Sequence, residues 1–178
     1  MIGAITAGLF STGAAPAAAT SYDSIATVSA SGSSVVTFSS IPSTYKHLQL
    51  RCFSTPSGAS YNYLRLNSDT GSNYSFHQLT GDGSTAGAAG GASQNLVYIN
   101  NYSSTQPAVA IIDILDYQNT NKNKTIRSLA GVDSNGAGYV QFRSGAWYNT
   151  AAVSTITITV DGGTYSTGSS FALYGIKG

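Results

Sequence analysis

Residues 153–160 read VSTITITV, placing Ile156, Ile158 and Val160 on one side of an extended chain and Thr155, Thr157 and Thr159 on the other. Successive side chains of a strand point to opposite faces, so this period of two predicts a sheet with one covered and one wet face. Comparable short segments recur after residue 20: YDSIATVS, SVVTFSS, KHLQLRCF, YNYLRLN, NYSFHQL, NLVYIN, AVAIIDILDY, KTIRSLAGVD, YVQFRSGAWY and SSFALYGI. Between them lie TPSGAS, DTGSN, GDGSTAGAAGGAS, QNTNKN, DSNGAG and DGGTYSTG, all rich in residues that accept turns or positive φ. Many short strands with this punctuation predict an all-β fold, a jelly-roll-like antiparallel β-sandwich formed by residues 21–178.

Composition opposes the helical alternative. Charged residues are 8% of the chain, and its seven acidic residues are all Asp. The strong helix formers are thus scarce, and Ser, Thr, Val, Ile and Tyr replace them. A net charge of +1 with scattered basic residues leaves no electrostatic footprint for nucleic acid. Only Lys122, Lys124 and Arg127 lie close together, and they read as a solvated loop running into a strand. The lone Cys52 shares a strand face with Leu48 and Leu50, which predicts a small buried hydrophobe with no disulfide partner.

Four local expectations follow. ASGS between YDSIATVS and SVVTFSS reads as a hairpin turn. AVAIIDILDY carries Ile111 and Leu115 on one face and Ile112 and Ile114 on the other, which predicts a central strand covered on both sides. Residues 81–93 read as a low-complexity loop. Asp113, on the face of Ile111 and Leu115, is expected to be buried and to form a structural ion pair with Arg127 or Arg143.

The chain opens with MIGAITAGLF, ten residues without a charge, followed by an Ala, Gly and Pro stretch that reads as a linker. The apolar stretch has no basic start of the secretory kind and is half the roughly 20 residues a membrane helix needs. Residues 1–20 are therefore expected to form an N-terminal docking arm and linker. Ile2, Ile5, Leu9 and Phe10 would bury against a neighbouring subunit.

MIGAITAGLF, YDSIATV, FSSIPSTYKHLQLR, LNSDTGSNYSFHQLTGDG, DYQNTNKNKTIRSLAGVD and SSFALYGIKG occur in this order over nearly the whole chain. Together they resemble a family of small tailed-bacteriophage virion structural or tail-fibre-like proteins. The resemblance implies a virion component assembled in the host bacterial cytoplasm, with other capsid or tail proteins as partners. It supplies no catalytic residues.

No G-x-S-x-G elbow or H-E-x-x-H pair is present, so no enzyme activity, catalytic residue or cofactor is expected. Oxygen-bearing side chains at Asn67, Asp69, Ser72 and Asn73 are of the kind a calcium loop uses, but in a glycine-containing turn they read as caps of their own backbone, and no metal is assigned. Twelve Tyr and one Trp offer recognition surfaces: Tyr61, Tyr63, Trp147 and Tyr148 are candidates for glycan contact, with packing between sheets as the alternative. Three readings stand. The first is a decoration, fibre or knob on the particle surface, a homo-oligomer of three copies by preference; the others are a host-surface glycan adhesin and a glycan-degrading enzyme.

Overall fold

The computed structural model describes residues 20–58, 61–101 and 106–178. Among them are twelve strands: β1 (Tyr22–Ala30), β2 (Val35–Phe38), β3 (His47–Ser54), β4 (Tyr61–Leu66), β5 (Tyr74–Gly81), β6 (Ala86–Gln94), β7 (Val97–Asn101), β8 (Ala108–Leu115), β9 (Lys124–Asp133), β10 (Gly138–Trp147), β11 (Ile156–Val160) and β12 (Ser169–Ile176). They form an eight-stranded antiparallel sheet, β1-β12-β3-β8-β9-β10-β5-β6, and a four-stranded sheet, β2-β11-β4-β7. The pairs β1–β12, β2–β11, β3–β8, β4–β7 and β5–β6 nest inside one another and alternate between the sheets, the winding of a jelly roll, with the β9–β10 hairpin inserted in the wide sheet.

The period of two explains the core. Leu48 and Leu50 of β3, Ile112 and Ile114 of β8, and Phe171 and Leu173 of β12 are buried under Leu64, Leu66, Ile156 and Ile158 of the narrow sheet. Each burial removes apolar area worth about 1.5–3 kcal/mol from water. Tyr165 and Phe171 meet edge to face at 4.8 Å. Cys52 is buried as expected, and burial pushes its thiol pKa upward. The β9–β10 hairpin turns on Asn135 (φ 56) and Gly136 (φ 96), the Asn-Gly pair that a tight turn with two positive φ values requires.

Three local expectations are corrected. ASGS does not close a hairpin: β1 pairs with β12 and β2 with β11, so the chain crosses from one sheet to the other there. Residues 81–93 are largely strand β6, because the backbone of β5 offers a ladder that Ala and Gly join without steric objection. Strand β8 is central in hydrogen bonding, between β3 and β9, yet only its Ile112 and Ile114 face is buried. Its other face is open.

Candidate interaction face

That open face belongs to the whole wide sheet. Eleven large apolar side chains are exposed among the described residues; Tyr22 stands on this surface at the β1 edge, and seven more form one patch across it: Phe53, Leu79, Val109, Ile111, Leu129, Val140 and Phe142. Cross-strand register gathers them. Ile111 pairs with Leu129, Leu129 with Phe142, and Phe142 with Leu79, an unbroken apolar row over four strands. In the adjacent row Phe53 pairs with Val109, Val109 with Gly131, and Gly131 with Val140. Directly paired side chains of antiparallel strands stand about 4.5–5.5 Å apart, so these residues form one patch and not scattered points.

Exposure runs from 46% at Ile111 to 63% at Leu79. Covering seven half-exposed side chains would contribute on the order of 5–10 kcal/mol, taking about half of the usual value for each. A soluble monomer seldom shows a contiguous apolar patch of such extent. The relief is shallow. A groove of about 470 Å³ runs between Leu79, Phe142, Ala88 and His77. A second hollow, of about 660 Å³, lies beside Val109, Gly131 and Val140, where Asp82, Asp133 and Tyr139 bring the polar groups.

Polar residues bound the patch toward the end of the sheet near Tyr22. Arg51 stacks on the rings of Tyr22 and Tyr174, with its guanidinium carbon 5.6 and 4.6 Å from their centroids. Its Nε donates to Gln49 Oε1 at 2.9 Å, and Gln49 Nε2 donates to Asp113 Oδ1 at 3.0 Å. Asp113 is therefore half-buried on the outer face and served by an amide. Arg127 is its cross-strand neighbour, but no ion pair joins the two, and Arg127 is exposed to water. Arg143 points to the opposite, inner face, where its Nε donates to Gln78 Oε1 at 2.8 Å and burial lowers its pKa to about 10. The expected buried ion pair is thus corrected: a polar chain on the outer surface stands in its place.

The far edge of the same surface is β6, sequence AGAAGGASQ, whose side chains are almost all exposed. Its glycines have a local reason. A Cβ at Gly90 would lie 2.8 Å from the His77 ring, and one at Gly91 would lie 3.0 Å from the Phe76 ring. The rings of β5 rest on bare backbone.

The aromatic candidates do not converge. Trp147 is buried, 1% exposed, and so offers no face to a sugar; it stacks on Tyr74 with ring centroids 6.3 Å apart. This corrects its assignment as a glycan contact, because the ring fills the space beneath β5 and β10. Tyr148 is exposed, with its hydroxyl 3.1 Å from Ser75 Oγ. Tyr61 and Tyr63 share the outer face of β4 in the other sheet, Tyr61 edge to face with Tyr98 and Tyr63 beneath the Arg65 guanidinium. Ile2, Ile5, Leu9 and Phe10 lie outside the described residues.

Two polar arrangements escaped the sequence reading. Trp147 Nε1 donates to Asp69 Oδ2 at 2.7 Å, Asn73 Nδ2 donates to the same oxygen at 3.0 Å, and Gly71 N donates to Oδ1 at 2.8 Å. The indole bond, ahead of the other two, holds the Asp69 carboxyl below the usual carboxylate range. Lys124, read as solvated, is buried, and its Nζ donates to the carbonyls of Asn119, Lys122 and Thr150 at 2.5, 3.0 and 3.0 Å. Burial pushes its pKa down. Asp69 and Trp147 are separated by 78 positions, and the acceptors of Lys124 are backbone carbonyls, so neither arrangement has a side-chain signal in the sequence.

Among the described residues, no cluster of three or more His, Cys, Asp or Glu side chains is placed to hold a metal ion, and no helix is long and apolar enough to cross a membrane. Compared with protein-family models, with curated proteins and with solved structures, the chain matches none.

Proposed function

We propose that this protein is a structural component of a bacteriophage virion, displayed on the particle surface and acting by protein–protein contact. One observation carries the reading: the wide sheet leaves a continuous apolar face open to water over β3, β8, β9, β10 and β5. A surface of that kind requires a partner, and assembly supplies one. The resemblance of the quoted phrases to tailed-phage virion proteins names the setting. The uncharged N-terminal segment is the docking element, and the sandwich is what it displays. No catalytic role is assigned to any residue.

The test is physical association with particles. Particles produced with the protein are banded in a density gradient and probed with an antibody against residues 21–178. A virion component bands with the particles at a fixed ratio to the main capsid protein and is labelled by the antibody on intact particles. Recovery only in the unsedimented lysate would refute the reading.

A further inference from the structure

We infer that the open apolar face of the wide sheet packs against the same face of a second copy, about a two-fold axis that lies between the two sheets and runs across the strands. The inference rests on the reading above that this face is a protein contact, and it names the partner and the register. Shape supplies the first argument. The patch has two rows of unlike size: one holds Ile111, Leu129, Phe142 and Leu79, and the other holds Val109, Gly131, Val140 and Gly81 in the same strand order. Between the rows runs the register line of Ala110, Ala130, Gln141 and Thr80, whose side chains point inward.

An axis above that line turns the large row of one copy onto the small row of the other. Leu129 then faces the bare backbone at the partner's Gly131, and Leu79 faces the partner's Gly81. The hollow of about 660 Å³ beside Val109, Gly131, Val140 and Gly81 is the space these side chains enter. Phe142 meets the partner's Val140 and Ile111 the partner's Val109, so each contact sets a larger side chain against a smaller one. At the β3 margin the exposed Arg51 faces the partner's Phe53, a guanidinium against an aromatic ring. An axis along the strands does the reverse: it stacks large on large and leaves the glycines over a void.

Charge supplies the second argument. The outward positions of β9 are Thr125, Arg127, Leu129, Gly131 and Asp133, and the exposed Arg127 and Asp133 stand three positions to either side of Ala130. The same axis therefore brings Arg127 over the partner's Asp133 at both ends of the contact. Among the described residues neither side chain has an ion-pair partner in its own chain. Asp113, beside Arg127 in register, is already held by Gln49. Residues 1–19, 59–60 and 102–105 carry no charged side chain, so a second copy answers these two ends and those segments do not. Area agrees: seven large side chains at about half exposure leave on the order of 600 Å² of apolar surface per copy, and a polar rim brings this near the ~800 Å² per partner of a standard interface.

Sedimentation equilibrium of the full chain tests the pairing, with circular dichroism checking that each variant keeps the fold. The wild type is expected to dimerise. Leu129→Asp charges a side chain that projects into solvent in the monomer, and it should weaken the dimer more than about a hundredfold by burying that charge twice. Arg127→Asp and Asp133→Arg each set like charges together at both ends and should weaken it about tenfold. The double variant Arg127→Asp/Asp133→Arg inverts both pairs and should return to within about threefold of the wild type.

A monomeric wild type overturns the inference, and so does a trimer, because a face pair closes at two copies. A dimer indifferent to Leu129→Asp places the contact elsewhere, and a double variant no tighter than the single ones excludes this register; either result overturns it. Particle banding remains a separate readout: a monomer on particles sinks this inference alone, and a dimer absent from particles sinks the proposed function alone.

Discussion

Replacing Asp69 with Ala removes the acceptor of three hydrogen bonds and strands the indole N–H of a tryptophan that is 1% exposed. A bond from a buried donor to a carboxylate is worth about 1.5–3 kcal/mol, and the two at the solvent side about 0.5 kcal/mol each. The expected loss is about 2.5–4 kcal/mol, which for a domain of this size lowers Tm by about 5–15 °C. Trp147 is the single tryptophan and stacks on Tyr74, so its fluorescence during urea unfolding reports this site directly. Asp69→Asn keeps a carbonyl acceptor for the indole and should recover about half of the loss. The pH dependence follows from the sign of the shift. The folded Asp69 pKa is lowered, and an unfolded Asp titrates near about 3.9, so its stabilisation is present above that value and disappears as pH falls through the folded pKa. Between neutral pH and about pH 3, the wild type should therefore lose more stability than Asp69→Ala. A shift of less than about 0.5 kcal/mol at unchanged m-value, or identical acid profiles, would refute the assignment of Asp69 as the anchor of Trp147.

Three further outcomes are expected. Gly175→Ala drives a Cβ into the Tyr45 ring and should cost about 1–3 kcal/mol by thermal melting, most of it relieved in a Tyr45→Ser background. Lys124→Met leaves the carbonyls of Asn119, Lys122 and Thr150 without their donor and should cost about 2–4 kcal/mol in urea titration. Cys52, buried and with its thiol pKa raised, should react with an aromatic disulfide reagent only after denaturation, as followed by thiolate release.

The strands with strict alternation were legible because one side of each is covered and the other is not. VSTITITV and KHLQLRCF place Ile156, Ile158, Leu48 and Leu50 inside as their period requires. AVAIIDILDY misled because apolar residues on both faces normally mean two covering layers. Here the outer residues Val109 and Ile111 belong to a surface that no second layer of the described residues covers. GDGSTAGAAGGAS misled for the converse reason: Ala and Gly carry weak intrinsic strand preference, and β6 exists through its ladder with β5. Trp147 and Lys124 were misplaced because their partners lie far along the chain or on backbone carbonyls, where side-chain pattern holds no information.

The asymmetry of the two sheets explains where the unpartnered surface falls. Eight strands face four, so the narrow sheet covers one side of the wide sheet, and among the described residues no layer covers the other. Toward β5 and β6 even the inner side thins: Phe76, Gln78 and Thr80 are half-buried, and β6 is exposed on nearly every side chain. Edge strands of free-standing proteins usually carry Lys, Pro or an inward charge that blocks pairing with another chain. AGAAGGASQ has none of these. The molecule does possess charges suited to the purpose, but they are engaged elsewhere: Asp116 pairs with Lys46 and Lys122 at one end, and Asp82 caps its own turn through Ser84 and Thr85. An open apolar face that meets an unguarded edge at Leu79 and Ala88 is unfavourable for a monomer. It becomes favourable once a second chain lies over it, and that is the physical reason to treat this surface as an assembly contact.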